Sequence, residues 1–217
     1  MMQNVVQNNS VEIAGTVNGP LSFSHEVYGE GFYCFQLKVP RFSESCDMIN
    51  VMVSERLIHN MNLAEGDILQ INGQFRSYNK CEEKGSRLLL SVFARDLEKL
   101  DGEEPIRNNI TLEGFICKPP VYRETPFGRE ISDILVAVNR QYNKSDYIPC
   151  IAWGRNARYA ATLSVGERVK LQGRIQSREY QKRIGEDSFV TRTAFEVSVS
   201  KLEVMNHSGK DEKTETA

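Results

Sequence analysis

The chain lacks the short motifs on which common enzyme chemistry rests. None of Gly-x-x-x-x-Gly-Lys-Ser/Thr, Gly-x-Ser-x-Gly or His-Glu-x-x-His occurs in its 217 residues, and its carboxylates show no paired arrangement, so catalysis is not expected. Histidine is scarce: His25, His59 and His207 are far apart and have no carboxylate at ligand spacing. The five cysteines, Cys34, Cys46, Cys81, Cys117 and Cys150, are odd in number and never form a close pair. Reduced thiols are therefore expected, with no metal site and no cofactor. Long apolar runs are also missing. The longest lies near Ile134 to Val138, far below the roughly 20 residues of a membrane-spanning helix, and the stretch from Met1 to Ser10 is polar without a basic start. A cytoplasmic protein without membrane contact is the expectation.

The chain does contain itself twice. Gly15, Leu63, Gly66, Gly73 and Ser77 recur as Gly114, Leu163, Gly166, Gly173 and Ser177. A period of about 100 residues is a complete small domain rather than a solenoid unit. The spacing predicts one domain over 1–100, a linker at 101–109, a second domain over 110–205 and a disordered tail at 206–217. The linker is charged and carries one Gly and one Pro, while the tail is too polar to bury a core.

Within the second copy, period-two alternation predicts strands from Ile110 to Ile116, Ile131 to Asn139, Asp146 to Gly154, Arg168 to Tyr180 and Phe189 to Leu202. A helix over Asn156 to Leu163 separates the third from the fourth, with Gly166 placed to follow it. The first copy repeats this order: Val11 to Val17, Phe32 to Val39, Asp47 to Val53, a helix near Ser54 to Met61 that Ser54 is placed to cap, Asp67 to Tyr78 and Arg87 to Leu97. Three strands, a helix and two strands predict an all-β chain of two tandem five-stranded OB-fold (oligonucleotide/oligosaccharide-binding) barrels, each with one short helix. Gly73 and Gly173, inside the long fourth strands, mark where each strand bends as its barrel closes.

Charge separates the copies. Residues 1–109 carry 10 Lys and Arg against 15 Asp and Glu, or −5; residues 110–202 carry 15 against 10, or +5; residues 203–217 bring the total to −2. An anionic partner is expected to be drawn to the second copy and mildly repelled by the first.

In the fourth strand of the second copy, alternation assigns Val169, Leu171 and Ile175 to the core and Lys170, Gln172, Arg174, Gln176, Arg178 and Tyr180 to the opposite face. Cations, hydrogen-bonding groups and a ring suit a phosphate backbone with stacked bases. Tyr147 and Trp153 share a face of the third strand, opposite Ile148, Cys150 and Ala152. Tyr142 sits in a polar loop between Arg140 and Lys144, and Lys182 and Arg183 lie in the fourth-to-fifth hairpin.

Here the second copy resembles a known family, the bacterial single-stranded DNA-binding proteins. The resemblance rests on Asn109-Ile-Thr-Leu-Glu-Gly114, Thr125-Pro-Phe-Gly128, Ala137-Val-Asn-Arg140, Ile148-Pro-Cys-Ile-Ala-Trp153, Leu163-Ser-Val-Gly166 and Gly173-Arg-Ile-Gln-Ser-Arg-Glu-Tyr180. It implies single-stranded DNA as partner, with stacking by Tyr142, Tyr147, Trp153 and Tyr180. Phosphate contacts are then expected from Arg140, Lys144, Lys170, Arg174, Arg178, Lys182 and Arg183. It also implies association with the nucleoid, a role in replication, recombination or repair, and a homodimer that brings four barrels together.

The first copy fits that family only in outline. Gln70, Gln74 and Tyr78 stand where the second has Lys170, Arg174 and Arg178, and Met48 replaces Tyr147. Its weaker candidates are Arg41, Phe42, Arg76, Tyr78 and Lys80, and pairing between subunits is another role open to it. The chain ends Lys213-Thr-Glu-Thr-Ala217, without the acidic, Phe-terminated tip by which the family docks other replication or recombination proteins. An alternative resemblance is to primosomal proteins, whose barrels of this type serve mainly as protein-interaction modules with weak nucleic-acid binding.

Overall fold

In the computed structural model the described residues are 8–82, 85–103, 105–183 and 188–205, with the side chains of 80–82, 85–87 and 182 outside the description. Lys80 and Lys182 therefore lie beyond what can be placed, as does the tail expected to be disordered. The elements run β1 (Asn9–Val27), β2 (Glu30–Pro40), β3 (Cys46–Ser54), α1 (Glu55–Ile58), β4 (Ile68–Glu82) and β5 (Gly85–Leu100). The second set is β6 (Asn108–Ile116), β7 (Val121–Glu124), β8 (Glu130–Asn139), β9 (Ser145–Trp153), α2 (Arg155–Ala160), β10 (Arg168–Arg183) and β11 (Phe189–Val204).

Alternation closes each half on itself. In the first, β1 pairs with β2, β2 with β3, β3 runs parallel to β5, β5 pairs with β4, and β4 returns to β1. In the second, β6, β8, β9, β11 and β10 form the same ring. Both are five-stranded OB barrels, as the strand order predicts. The inward residues are fully buried: Ile13, Leu37, Ile49, Val51, Leu69, Ile71 and Phe75 in one, and Leu112, Val136, Ile148, Leu171, Ile175 and Val197 in the other. Each such side chain contributes about 1.5–3 kcal/mol.

Three local expectations are corrected. β1 does not end at Val17 but continues to Val27 as a ribbon with β2, turned through Tyr28 and Gly29 at φ 50° and 79°. Its outer half, residues 22–29, is exposed, so no core imposes an alternation there. For the same reason β7, exposed along its whole length, is an unexpected strand on the edge of β8. The first helix is one turn long, and Ser54 does not cap it, because its hydroxyl donates instead to the Glu30 carboxylate.

The glycine reading holds. The register shifts between Asn72 and Gly73 and between Gln172 and Gly173. A Cβ on Gly73 would stand 2.3 Å from the Phe93 carbonyl oxygen, and one on Gly173 2.1 Å from that of Ser198. Only glycine fits such closely bent strands.

The barrels are joined edge to edge. β1 pairs antiparallel with β6, Asn9 opposite Leu112 and Ile13 opposite Asn108, which makes one continuous eleven-stranded sheet. Where β1 leaves β4 for this partner, the Asn9 side chain replaces the lost ladder, donating to the Phe75 carbonyl at 2.7 Å and accepting from its N–H at 2.9 Å. Asn108 does the same for Ile175 at 2.8 and 2.9 Å. Asn108 and Asn109, expected in the linker, are thus strand residues.

Candidate nucleic-acid interface

Two buried carboxylates decide where two of the expected phosphate contacts, Arg140 and Arg174, and the first-barrel candidate Arg41 sit. Asp47 on β3 has no exposed side-chain surface and accepts the Ser177 N–H of β10 at 2.7 Å, across the junction of the two barrels. It also holds two guanidiniums, Arg41 from its own barrel and Arg174 of the other at 3.2 Å. The Asp47 hydrogen bond is the leading cause that raises the Arg41 pKa above its ordinary value. Asp146 on β9 repeats the arrangement in reverse. It accepts the Ser77 N–H of β4 at 2.8 Å and holds Arg140 at 3.2 Å. The Ser hydroxyls complete the exchange, with Ser177 accepting from the Met48 N–H and Ser77 from the Tyr147 N–H.

Arg41, Arg140 and Arg174 are therefore bound to carboxylates as well as facing solvent. Gln176, expected on an open stripe, is buried, donating to Glu196 at 2.6 Å and accepting from Arg174 at 3.2 Å. The stripe on β10 is interrupted here by these side-chain partners, which alternation within one strand cannot reveal. Beyond that point it opens again. Arg178 is exposed, 3.9 Å from Glu196, and lies 6.0 Å from the centre of the Tyr180 ring. Lys170 is half-buried and Arg183 exposed.

The aromatic residues are accessible on a sheet whose other face is closed by Ile148, Cys150 and Ala152. Trp153 is 37% exposed, Tyr180 38%, Tyr147 44% and Tyr142 90%. The Trp153 indole N–H donates to the Ser198 hydroxyl at 3.3 Å, fixing the ring's edge on β11 and leaving a face to solvent. Ser198 pairs with Arg174 across β10 and β11. Tyr142 stands apart from this group, at the tip of the β8–β9 loop, with φ of 61° there and 53° at Asn143. Such left-handed backbone is uncommon outside glycine and projects the ring from a tight turn. In the first barrel Phe42 and Tyr78 are exposed, and the Arg76 guanidinium lies 3.7 Å over the Phe93 ring.

Sequence reasoning missed Asp47 and Asp146. The two aspartates had a signal: each begins an otherwise apolar strand, at the same place in the repeat, as Cys46-Asp-Met-Ile49 and Ser145-Asp-Tyr-Ile148. Ser77 and Ser177, visible as a repeated pair, are the residues they bind.

Comparison with known proteins agrees with this architecture. Residues 107–205 match the model of the Single-strand binding protein family. The chain is 36% identical over 107 residues to single-stranded DNA-binding protein 2 of Listeria innocua, covering 46% of this chain and 67% of that one. It is 35% identical over 109 residues to single-stranded DNA-binding protein A of Bacillus subtilis, covering 47% and 63%. The matched length is thus about two thirds of these relatives or slightly less. The fold as a whole superposes on the single-stranded DNA binding protein of Thermus aquaticus, in a deletion variant, with a TM-score of 0.73 at 19% identity, covering 94% of this chain and 98% of that one. With its two OB barrels and these relatives, the chain belongs to the single-strand binding protein family.

Proposed function

We propose that the protein binds single-stranded DNA with little regard to sequence, without catalysis, and so protects strands exposed in replication, recombination or repair. The observation that carries this reading is the second barrel's outer face. There Trp153, Tyr147 and Tyr180 offer accessible rings, with Arg178 beside Tyr180 and Lys170 farther along the same strand. A base stacked on one such ring contributes about 1–3 kcal/mol whatever its identity, because every base has a π face. Cations along the same strand neutralise phosphates, and this part of the affinity falls as salt rises. A duplex keeps its bases stacked on one another and cannot use the rings.

Of the residues assigned to phosphates, Arg178 and Lys170 are proposed as primary contacts. Arg174 and Arg140 reach a strand while remaining anchored on Asp47 and Asp146. Tyr142 is proposed as a stacking finger on its loop. Two copies of the chain, each with two barrels, are proposed to assemble as a homodimer of four. Titration of the single tryptophan with oligo-dT tests the binding, and the mass in solution tests the dimer: a species of 24.7 kDa alone would contradict it.

A further inference from the structure

Among the described residues the junction of the two barrels leaves two clefts, related by the internal repeat, and they differ in size and in how their cations are paired. The first has room for about 670 Å³ and is lined by Arg76 and Arg95 of the acidic barrel and by Arg140, Tyr142, Lys144 and Arg168 of the basic one. The second, about 310 Å³, is lined by Arg41, Phe42, Asn108 and Arg174 among others. In this smaller cleft both guanidiniums converge on Asp47. In the larger one, Arg140 is met by Asp146 and Arg168 by Glu113, while Arg76, Arg95 and Lys144 have no carboxylate at ion-pair distance among the described residues.

The repeat shows how this arose. Positions equivalent to Arg76, Lys144 and Arg168 hold Gln176, Ser45 and Ile68. Arg95 is the extra residue of the β5 bulge, skipped between Asp96 opposite Asn72 and Ala94 opposite Gly73. Its counterpart in the β11 bulge is Ser200. Bulges redirect a side chain from the sheet, and here the redirected side chain is a cation that lines the cleft. So the barrel whose net charge is −5 places two arginines where they meet the loop of the barrel whose net charge is +5.

These cations are not neutralised locally. The Arg76 guanidinium lies 3.7 Å over the Phe93 ring and donates to Gln74 at 3.1 Å. Its Nε is buried without a partner. Burial pushes its pKa down to about 10, with the charges of Arg140 and Arg95 acting in the same direction and Asp146 opposing them. It remains a cation at neutral pH, crowded by like charge. An anion entering the cleft relieves that repulsion, and planar guanidiniums hold phosphate oxygens in pairs.

We propose that this cleft is a phosphodiester-binding site shared by both barrels, in which Arg76 and Arg95 join Arg140 and Lys144 to hold a stretch of the bound strand, with a base on Tyr142. The inference rests on the single-stranded DNA reading above and extends it, since it gives the first barrel a direct part in the strand's path. The open cleft between walls lined by cations from both barrels fits a polyanionic chain.

The test compares the full chain with Arg95→Gln and Arg95→Glu, because this side chain is exposed and its loss removes no contact of the core. Affinity for oligo-dT is read from Trp153 fluorescence over a salt series, with Arg56→Gln, an exposed arginine on α1, as charge-matched control. The expected result is a loss of roughly ten-fold for Arg95→Gln and more for Arg95→Glu. The salt slope should flatten by about 0.7 for each phosphate released, with the control unchanged. Arg76→Gln should add to the effect. Unaltered affinity and slope in both Arg95 variants, with the parent protein binding, would overturn the shared site alone. Absence of binding by the parent protein would overturn the underlying reading as well.

Discussion

The carboxylate of Asp47 in the first barrel accepts the backbone N–H of Ser177 in the second at 2.7 Å, and the same carboxylate anchors Arg41 and Arg174. Together with its counterpart, Asp146 on Ser77, it pins the barrels across both ends of the shared β1–β6 seam. A buried acid that loses its charge leaves two cations without their counter-charge and weakens the bond it accepts from the backbone donor. Hydrogen bonds to charged groups contribute about 1.5–3 kcal/mol, and the arginines here are partly solvated, which moderates the loss. Asp47→Asn is expected to destabilise the protein by about 2–3 kcal/mol in urea denaturation, and Asp146→Asn, with one arginine, by less. Equal stability of both variants to the parent would mean that the seam is held by strand pairing alone.

Gly173→Ala is expected to cost about 1–3 kcal/mol. The added Cβ would sit 2.1 Å from the Ser198 carbonyl oxygen, backbone that can give way only if β10 and β11 part. Thermal melting is the check, and an unchanged midpoint would show that the bulge relaxes freely.

Cys150 is expected to resist thiol reagents at neutral pH. It is 3% exposed, and burial pushes its thiol far above the ordinary range, with Glu196 and Cys117 adding to the shift. The thiolate that reacts is therefore absent in the folded protein. Cys34 and Cys46, which are half-buried and free, should be labelled first, and mass analysis of labelled peptides reads the order.

Trp153→Ala is expected to weaken oligo-dT binding by roughly ten-fold or more, the equivalent of one lost stacking contact, measured at a temperature where the variant remains folded. Filter binding or anisotropy measures the variant without needing tryptophan. Affinity equal to the parent's would assign Trp153 to the barrel wall.

The barrels themselves were legible from residues such as Val169, Leu171 and Ile175, because a strand with one buried face must alternate. The exposed rings Tyr147 and Trp153 were legible for the same reason. What escaped were features with no local period. The ribbon from Ser22 to Val27 and the strand Val121–Glu124 bury little and so carry no pattern. The partners of Arg140 and Arg174 were unreadable in a different way. The acid 127 residues from Arg174 meets it only once two barrels are in place, and the one 6 residues from Arg140 only once the β8–β9 loop has folded back on itself. Arg95 reaches the cleft through a bulge, a one-residue slip that alternation treats as noise.

Single-strand binding is tested most directly by the fluorescence of Trp153 during titration with oligo-dT at several salt concentrations, with duplex DNA of equal length as comparison. Strong quenching by the single strand, weakening as salt rises, and none by the duplex is the expected result. Unchanged fluorescence with oligo-dT at micromolar protein, or equal quenching by both DNAs, would contradict binding through the second barrel's aromatic face.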